Sequence, residues 1–254
     1  MNSSSPPRSP GPVHLVFGAT GGIGSELGRT LARRGSTLIL AGRHRDRVDA
    51  LAAEIGGEPQ VVDVLDPDQT ETFFTDVVRR HGRIDGVAHC VGSVLLKPAH
   101  RTTLAEWSET LAVNLTTAFC VVRAGAKVMS SGGSIVLVSS AAARAGLPGH
   151  EAIAAAKAGV IGLTLSAAAS YASKGLRINC VAPGLVRTPL TRGITSQEVS
   201  LKASLAMHAL GRLGEPADVA NLIAWLLGEE SGWVTGQVFG VDGGLATVRT
   251  RVSA

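Results

Sequence analysis

The sequence predicts an α/β fold in which one doubly wound parallel sheet of about seven strands carries helices on both faces. Three observations support this prediction. Short β-branched, apolar runs alternate with longer helical stretches from position 13 onward. These runs are mostly apolar throughout rather than alternating, which is typical of parallel strands buried on both faces. A glycine cluster follows the first run and begins the first helical stretch.

Seven segments share the apolar, β-branched character and are predicted to be strands: residues 13–18, 37–41, 60–64, 86–91, 134–139, 177–181 and 237–241. The segments between them are long enough for crossover helices, and right-handed crossovers place helices on both faces of the sheet. No linker or repeat interrupts residues 13–254, so we expect one domain there. Residues 1–12 are rich in Ser and Pro and are predicted to be a disordered tail.

The composition favours a cytoplasmic protein. Hydrophobic residues make up 45% of the 254 residues and aromatic residues only 4%, so aliphatic side chains must form the core. The net charge of +4 comes from scattered arginines without interleaved aromatics, which argues against nucleic-acid binding and still suits an anionic cofactor. The three cysteines lie among apolar residues, which indicates reduced thiols. We find no signal peptide and no apolar run of membrane-spanning length, so we expect no membrane association.

The glycine cluster has the form Gly18-x-x-x-Gly22-x-Gly24 and precedes a predicted helix over residues 25–34. Glycines at such a turn let the backbone approach a pyrophosphate, which the free N–H groups of the helix N-terminus then bind. A glycine cluster alone is a weak signal. Its position between a first strand and an amphipathic helix predicts dinucleotide binding in a Rossmann-type sheet.

Further motifs follow in a fixed order along the chain: Val62-Asp63-Val64, Val113-Asn114-Leu115, and the segments 133–140, 157–162, 178–184, 212–216 and 235–244. Together with the glycine spacing, they resemble the short-chain dehydrogenase/reductases from about residue 13 to residue 244. Within that family, the chain is most similar to the subfamily that includes the 3-oxoacyl-carrier-protein reductases. The resemblance implies an oxidoreductase with a nicotinamide cofactor and a small-molecule substrate.

The resemblance also implies which residues bind the cofactor. They belong to the phosphate loop, to later strand ends and to the nicotinamide side: Gly18, Thr20, Gly22, Ile23, Gly24, Arg43, Asp63, Val64, Gly92, Asn114, Lys157, Pro183, Gly184, Val186 and Thr188. An NAD enzyme of the family usually has Asp near position 42, where this chain has Gly42 followed by Arg43. Because Arg43 can pair with a 2′-phosphate, NADP(H) is the predicted cofactor. The alternative is that Arg43, Arg45 and Arg47 only cap or solvate the next helix.

The reaction site predicted from the resemblance departs from the family at one position. The family uses a Ser…Tyr-x-x-x-Lys set with a supporting asparagine, and Ser140, Lys157 and Asn114 match three of these positions. Ile153 stands where the tyrosine is expected. Isoleucine has no proton to give, and the loss of a general acid typically lowers the rate by about 10²–10⁴-fold.

The single tyrosine of the chain cannot fill this position. Tyr171 lies 14 residues beyond Lys157, which is about 21 Å along a helix. His150 is a candidate acid, because it stands before Lys157 at the Tyr-x₆-Lys spacing of related enoyl reductases and can donate a proton near neutral pH. The alternative is an exposed, idle histidine at the start of the helix. Glu151 is a second candidate, although a carboxylate there is also explained by the helix dipole.

Two further departures affect the surroundings of the cofactor. The family's Asn-Asn-Ala-Gly sequence reads His89-Cys90-Val91-Gly92 here, and Phe17 stands where threonine is common. We expect His89 to be a hydrogen-bonded histidine of the core. Cys90 has no Cys or His at metal-ligand spacing, so no metal site is predicted.

Residues 190–207 cover the substrate in the family, and here they are largely apolar. They indicate a medium-sized apolar part of the substrate, although an apolar segment can also simply pack. The resemblance further implies a homotetramer, with an interface formed by the helices around residues 111–129 and 160–172 and the C-terminal strand.

Three functional hypotheses remain open. The first is an NADP(H)-dependent oxidoreductase with an atypical site, acting on a small or medium carbonyl or enoyl compound, with its proton from His150, from Ser140 with Lys157, or from water. The second is a catalytically disabled nucleotide-binding or regulatory subunit. The third is a site repurposed for lyase, isomerase or cyclase chemistry. The fold alone cannot separate them.

Overall fold

Seven parallel strands form one sheet in the order β3-β2-β1-β4-β5-β6-β7. The computed structural model describes residues 11–249 of the chain. The strand order reverses between β1 and β4, which makes the sheet doubly wound and confirms the predicted fold class. The strands are β1 (Val13–Phe17), β2 (Thr37–Gly42), β3 (Glu58–Val61), β4 (Gly86–His89), β5 (Gly133–Val138), β6 (Leu176–Pro183) and β7 (Val238–Val241).

The α-helices found in the described part of the chain are α1 (Gly22–Arg33), α2 (Arg45–Ile55), α3 (Pro67–His81), α4 (Leu104–Leu111), α5 (Thr117–Val128), α6 (Glu151–Tyr171), α7 (Arg192–Thr195), α8 (Glu198–Met207) and α9 (Pro216–Leu227). A π-helical turn, Ala112–Thr116, joins α4 to α5. Helices α3, α5 and α6 cover one face of the sheet, and α1, α2 and α9 cover the other.

Two apolar layers hold these helices on the sheet. On one face, Phe17 of β1 stacks on Phe74 of α3, with ring centroids 5.7 Å apart. On the other face, Val16 of the same strand packs with Leu27 of α1 and Ile223 of α9. Successive residues of β1 thus face opposite layers, and both are fully buried. This explains why the strand is apolar at every position except His14, which is buried as well.

The predicted third strand was wrong in its position. It was expected at residues 60–64, but β3 runs over Glu58–Val61. β3 is an edge strand, and one of its faces is solvated. Pro59 is tolerated there because no further strand needs a hydrogen bond from its backbone nitrogen. Val62 and Val64 lie in the loop after the strand and are buried there because they pack into the apolar layer beside α3.

Most of the predicted tail, residues 1–10, lies outside the described residues. Pro12 accepts a hydrogen bond from the Thr37 amide at 3.0 Å and is therefore already attached to the sheet. Contrary to the sequence-based expectation, two helical stretches, Leu104–Val128 and Glu151–Lys174, are long and apolar enough to span a membrane by length and composition alone. About half of each is buried against the fold, as in helices that cover a sheet.

Candidate functional site

The loops with predicted functional residues all follow carboxyl ends of strands. Because the strands are parallel, these ends meet at one edge of the sheet, and ligands of such sheets bind where the strand order reverses. A cleft of about 330 Å³ lies at this point. Predicted cofactor residues that line it are Gly18, Thr20, Gly22, Ile23, Gly24, Arg43, Asp63, Val64, Gly92 and Thr188.

The glycines of the phosphate loop are required by close backbone approaches. Gly18 has a φ of +71°, which disfavours any other residue, and a Cβ atom there would lie 2.8 Å from the Cys90 carbonyl carbon. A Cβ atom on Gly24 would collide with the carbonyl oxygen of Gly18. At Gly22 it would lie 2.7 Å from Thr188 Cγ2. No side chain caps the N-terminus of α1, so its first N–H groups remain available to an anion.

The end of β2 determines the charge at the far side of the cleft. A Cβ atom on Gly42 would lie 2.8 Å from Val48 Cγ2, so this position has no room for a carboxylate. Arg43 is exposed and lines the cleft, as does Arg47, which donates a hydrogen bond to the Thr20 carbonyl at 3.0 Å. Within residues 11–249, neither guanidinium lies within 4.0 Å of a carboxylate oxygen. Arg45 does not line the cleft.

Asn114 lies in the π-helical turn and is completely buried. Its amide nitrogen donates to the Thr110 carbonyl at 3.0 Å and to Ser93 Oγ at 2.9 Å, and its Oδ1 accepts from the Ser93 amide at 3.1 Å. A Cβ atom on Gly92 would lie 3.0 Å from Asn114 Oδ1 and 3.4 Å from Lys157 Nζ. Gly92 therefore links the cleft to the pair formed by Asn114 and Lys157.

Lys157 is buried in α6, and its ammonium group donates a hydrogen bond to the Val138 carbonyl at 2.9 Å. Burial lowers the pKa of Lys157 to about 8, because the charged form loses its hydration. The backbone carbonyl of Lys157 accepts a hydrogen bond from Ser139 Oγ at 2.7 Å. Ser139 is therefore a structural partner of α6, a role that the sequence analysis missed because nothing in the local pattern distinguishes it from Ser140.

Ser140 is half-buried at the end of β5. Its Oγ accepts a hydrogen bond from the Ala142 amide at 3.1 Å, which caps a short 3₁₀ turn. Within the described part of the chain its hydroxyl proton is donated to no protein group. The hydroxyl can therefore donate to a bound carbonyl oxygen without breaking an existing bond.

His150 is the N-cap residue of α6. Its Nδ1 lies 2.9 Å from the Pro148 carbonyl, which only accepts, so Nδ1 carries a proton. Positions 150, 153 and 157 share one face of the helix. Ile153, one turn before Lys157, is buried.

Tyr171 forms the last residue of α6, at the opposite end from His150. Its ring packs beside the Lys174 ammonium, 5.7 Å from the ring centroid, and against the apolar layer. This position agrees with the interpretation of Tyr171 as a packing residue.

His89 is fully buried and hydrogen-bonded, as expected for a histidine of the core. Thr117 Oγ1 donates to the Val113 carbonyl, so it accepts from His89 Nε2 at 3.0 Å. Burial lowers the pKa of His89 to about 3, and burial raises the pKa of the Cys90 thiol to about 12. His89 is therefore neutral and Cys90 protonated at neutral pH. Within residues 11–249, no three His, Cys, Asp or Glu side chains are grouped to hold a metal ion.

Five predicted cofactor residues do not line the cleft. Asn114 and Lys157 approach it only through Gly92, as described above. Pro183 is buried at the end of β6, and Val186 is buried and pairs with Gly214. Gly184 lies in a neighbouring depression of about 500 Å³ beside His208. The residues that follow, from Thr188 to Leu190, close over the phosphate loop at Gly22.

A doubly wound sheet with a glycine cradle at its switch point is typical of dinucleotide-binding α/β proteins. A family model described as enoyl-(acyl carrier protein) reductase matches residues 18–246. The chain is 37% identical over 245 residues to the 3-oxoacyl-[acyl-carrier-protein] reductase FabG of Thermotoga maritima, covering 94% of this chain and 99% of that protein. It is 36% identical over 248 residues to the short-chain dehydrogenase/reductase aba4 of Botryotinia fuckeliana, covering 91% and 95%.

Among solved structures, a short-chain type dehydrogenase/reductase from Mycobacterium ulcerans has a TM-score of 0.90 at 30% sequence identity, covering 94% of this chain and 90% of that chain. The chain therefore belongs to the short-chain dehydrogenase/reductase family of oxidoreductases. This confirms the family resemblance drawn from the motifs.

Proposed function

We propose that this protein is an NADP(H)-dependent oxidoreductase that acts on small or medium carbonyl or enoyl compounds, in a site that lacks the usual tyrosine. The observation that supports it most is the position of Gly92, which lines the cleft and lies beside both Asn114 Oδ1 and Lys157 Nζ. A nucleotide cleft and the polar groups expected for carbonyl chemistry are thus adjacent.

The residues around the cleft fit an NADP(H) cofactor. The glycine cradle at Gly22 and Gly24 and the uncapped N-terminus of α1 suit a pyrophosphate. Arg43 and Arg47 supply positive charge where Gly42 excludes the carboxylate that would bind a ribose 2′-hydroxyl. When bound, the nicotinamide supplies or accepts the hydride.

The protein groups orient the substrate and supply the proton. Ser140 has a free hydroxyl proton for the substrate oxygen, and Asn114 holds Ser93 and the π turn in place. His150 is the proposed proton donor, because it stands seven residues before Lys157 on the same helix face and its ring is oriented by the bond from Nδ1 to the Pro148 carbonyl. Ile153 contributes only apolar surface.

The substrate side of the site is apolar. Val94 and Leu96 after β4 and Leu190 and Met207 around the covering segment are all exposed. Lys97, the nearest cation of that loop in sequence, is already paired with Glu106 at 2.8 Å. Leu190 lines the cleft, and the exposed apolar side chains of these two segments support a substrate with a medium-sized apolar portion.

The direct test is NADPH oxidation with a panel of ketones, quinones and enoyl thioesters, using wild type, Ile153→Tyr and His150→Ala. We expect wild-type turnover, a loss of about 10²-fold or more in His150→Ala at unchanged NADPH affinity, and normal rates in the control variant His100→Ala. His100 is a suitable control because it is exposed and lies in a short 3₁₀ turn outside the cleft.

A second candidate function is a disabled, nucleotide-binding partner or regulatory subunit. The buried Ile153 favours it, because no proton donor occupies that helix position. NADPH binding without turnover in wild type, together with turnover in Ile153→Tyr, would establish this alternative and exclude the oxidoreductase. NADH binding as tight as NADPH binding would contradict the cofactor assignment.

The proposed assembly is a homotetramer. Phe119 of α5 and Leu165 of α6 are each 50% exposed, and Leu104 and Trp107 of α4 are exposed as well. Such apolar helix faces support an interface between subunits. Sedimentation equilibrium should give a tetramer for wild type and smaller species for Phe119→Glu, and a monomeric wild type would refute the assignment.

A further inference from the structure

His208 follows the last residue of α8 and is buried, although neither its chemistry nor its position was singled out from the sequence. Its Nδ1 lies 2.6 Å from the Ser204 carbonyl in the last turn of α8. Its Nε2 accepts a hydrogen bond from the Leu185 amide at 3.1 Å. A carbonyl only accepts and an amide N–H only donates, so the ring is the neutral Nδ1–H tautomer with both nitrogens bonded.

Leu185 belongs to the turn between Gly184 and Thr188 that follows β6. Its carbonyl accepts a hydrogen bond from the Gly214 amide at 2.9 Å, and the Arg187 amide donates to the Gly214 carbonyl at 2.8 Å. The turn is thus paired by backbone groups with the segment that begins at His208. His208 adds the side-chain bond at the end nearest to α8.

Helix α8 is otherwise weakly attached. Within residues 11–249, hydrogen bonds from residues 198–207 lead only to positions 197–208. Ser204 is the residue of α8 that is buried. The side-chain connection from this helix to the turn after β6 is therefore the imidazole of His208, while two residues further on the Leu210 amide donates to the Gly243 carbonyl at 3.0 Å.

The fit around the ring is tight. A Cβ atom on Gly184 would lie 2.6 Å from His208 Nε2 and 3.0 Å from Asp242 Cα. Gly184 therefore leaves space for the ring to approach the Leu185 amide, which accounts for a glycine at a position that does not line the cleft.

We infer that His208 is a positioning residue that ties α8, part of the segment that covers the substrate in the family, to the turn carrying Leu185 and Thr188, so that helix and turn keep one relative position. The functional importance of this turn rests on the proposed function, since Thr188 of the turn lines the cofactor cleft. The connection between α8 and the turn, called the bridge below, consists of the two hydrogen bonds of the His208 ring.

Two substitutions separate the two bonds. In His208→Gln the side-chain oxygen reaches the place of Nε2 and can accept from Leu185, but the bond to Ser204 is lost. In His208→Asn the amide nitrogen takes the place of Nδ1 and can donate to Ser204, but the bond to Leu185 is lost. His100→Asn, on an exposed 3₁₀ turn, is the matched control.

The measurement is amide hydrogen exchange, resolved by residue, on the full-length protein below its unfolding transition. In His208→Asn we expect exchange of the Leu185 amide to accelerate by about tenfold or more, because its buried acceptor is gone. In His208→Gln the Leu185 amide should stay protected. Exchange within α8 should accelerate in both variants, since either loss breaks the bridge, and neither effect should occur in His100→Asn.

Unchanged Leu185 exchange in His208→Asn, or unchanged α8 exchange in both variants, would overturn the inference. Steady-state kinetics supplement the exchange measurement. The KM for the carbonyl or enoyl substrate should rise in both variants, while NADPH affinity stays within a factor of about two of the wild-type value. Absence of NADPH binding or turnover in wild type would instead count against the proposed function, and the exchange data would still decide the role of His208.

Discussion

The Lys157 ammonium group is hydrogen-bonded to the Val138 carbonyl at 2.9 Å, so the buried cation of α6 is held at the end of β5. The residue directly after that strand also bonds to α6, because Ser139 Oγ donates to the Lys157 carbonyl at 2.7 Å. These two bonds set the register of α6 against the strand end that carries Ser140. The adjacent serines thus have different roles.

The first prediction separates these serines. Ser139→Ala should lower the free energy of unfolding by about 1–2 kcal/mol, because the buried hydrogen bond from its hydroxyl to the Lys157 carbonyl is lost. Ser140→Ala removes a cap, at about 1 kcal/mol, and in addition the donor to the substrate oxygen, which should lower kcat by about 10²-fold. Urea unfolding and steady-state kinetics measure the two effects. A larger loss of kcat in Ser139→Ala than in Ser140→Ala would show that the roles are reversed.

The second prediction concerns cofactor choice. Arg43→Ala should weaken NADPH binding by about 10- to 100-fold, because a charge-assisted bond to the 2′-phosphate is lost, and should leave NADH binding unchanged. Calorimetric titration of both nucleotides provides the measurement. Arg45→Ala is the matched control, since Arg45 is exposed but does not line the cleft. Equal losses of NADPH affinity in the two variants would show that Arg43 acts only through its positive charge and not through a direct bond to the 2′-phosphate.

The third prediction concerns the end of α9. Arg177 of β6 donates hydrogen bonds to the carbonyls of Leu226 at 3.1 Å, Gly228 at 3.1 Å and Ser231 at 3.0 Å. Arg177→Met should lower the free energy of unfolding by about 2–4 kcal/mol, since these carbonyls lose a charged donor at once. Chemical denaturation tests this.

The control for Arg177 is Arg187→Met. Arg187 is exposed and pairs with Glu215 at 3.3 Å, so its loss should change the stability by no more than about 0.5 kcal/mol. An equally small effect in Arg177→Met would mean that water replaces the guanidinium at these carbonyls.

The fourth prediction is a loss of stability in mild acid. Burial between α1 and α9 lowers the pKa of His14 from 6.5 to about 4. The unfolded chain therefore binds the proton first, and stability falls as the pH decreases from 6.5 to about 4, with no further loss from this group below that range. The contribution of His14 is about 3 kcal/mol.

His14→Leu removes this titration, so the difference in unfolding free energy between pH 7 and pH 5 should be smaller than in wild type. Because His89 is also buried in its neutral form, part of the difference should persist in this variant. His100→Leu, at the exposed 3₁₀ turn, should leave the difference in unfolding free energy between the two pH values as it is in wild type. A wild-type stability that does not vary between these pH values would contradict the prediction.

Local patterns sufficed to predict much of the fold. The strand at Val13–Phe17 and the glycine turn after it are recognisable in sequence, since strands buried on both faces are mostly apolar and a φ of +71° at Gly18 favours glycine. The same rule failed at β3, because an edge strand need not be apolar on both faces, while the loop residues Val62 and Val64 are buried by tertiary contacts.

The candidate site likewise has some features that local sequence patterns reveal and others that only tertiary contacts decide. Family motifs located Ser140, Lys157 and Asn114 by spacing, but spacing could not show that Ser139 binds the backbone of α6 or that Gly92 lies between Asn114 and Lys157. No local signal distinguishes His208 from a surface histidine, because its partner Leu185 is 23 residues away in the chain.

By itself, the sequence determined the alternation of strands and helices, the phosphate-binding turn and the unusual Ile153, because each depends on the residue type at a position or on short-range periodicity. The tertiary structure alone decided which serine is structural, how Arg177 satisfies the end of α9 from 49 residues away, and that His208 joins α8 to the turn after β6. Those bonds join groups that only the packing of helices onto the sheet brings within 3 Å or so.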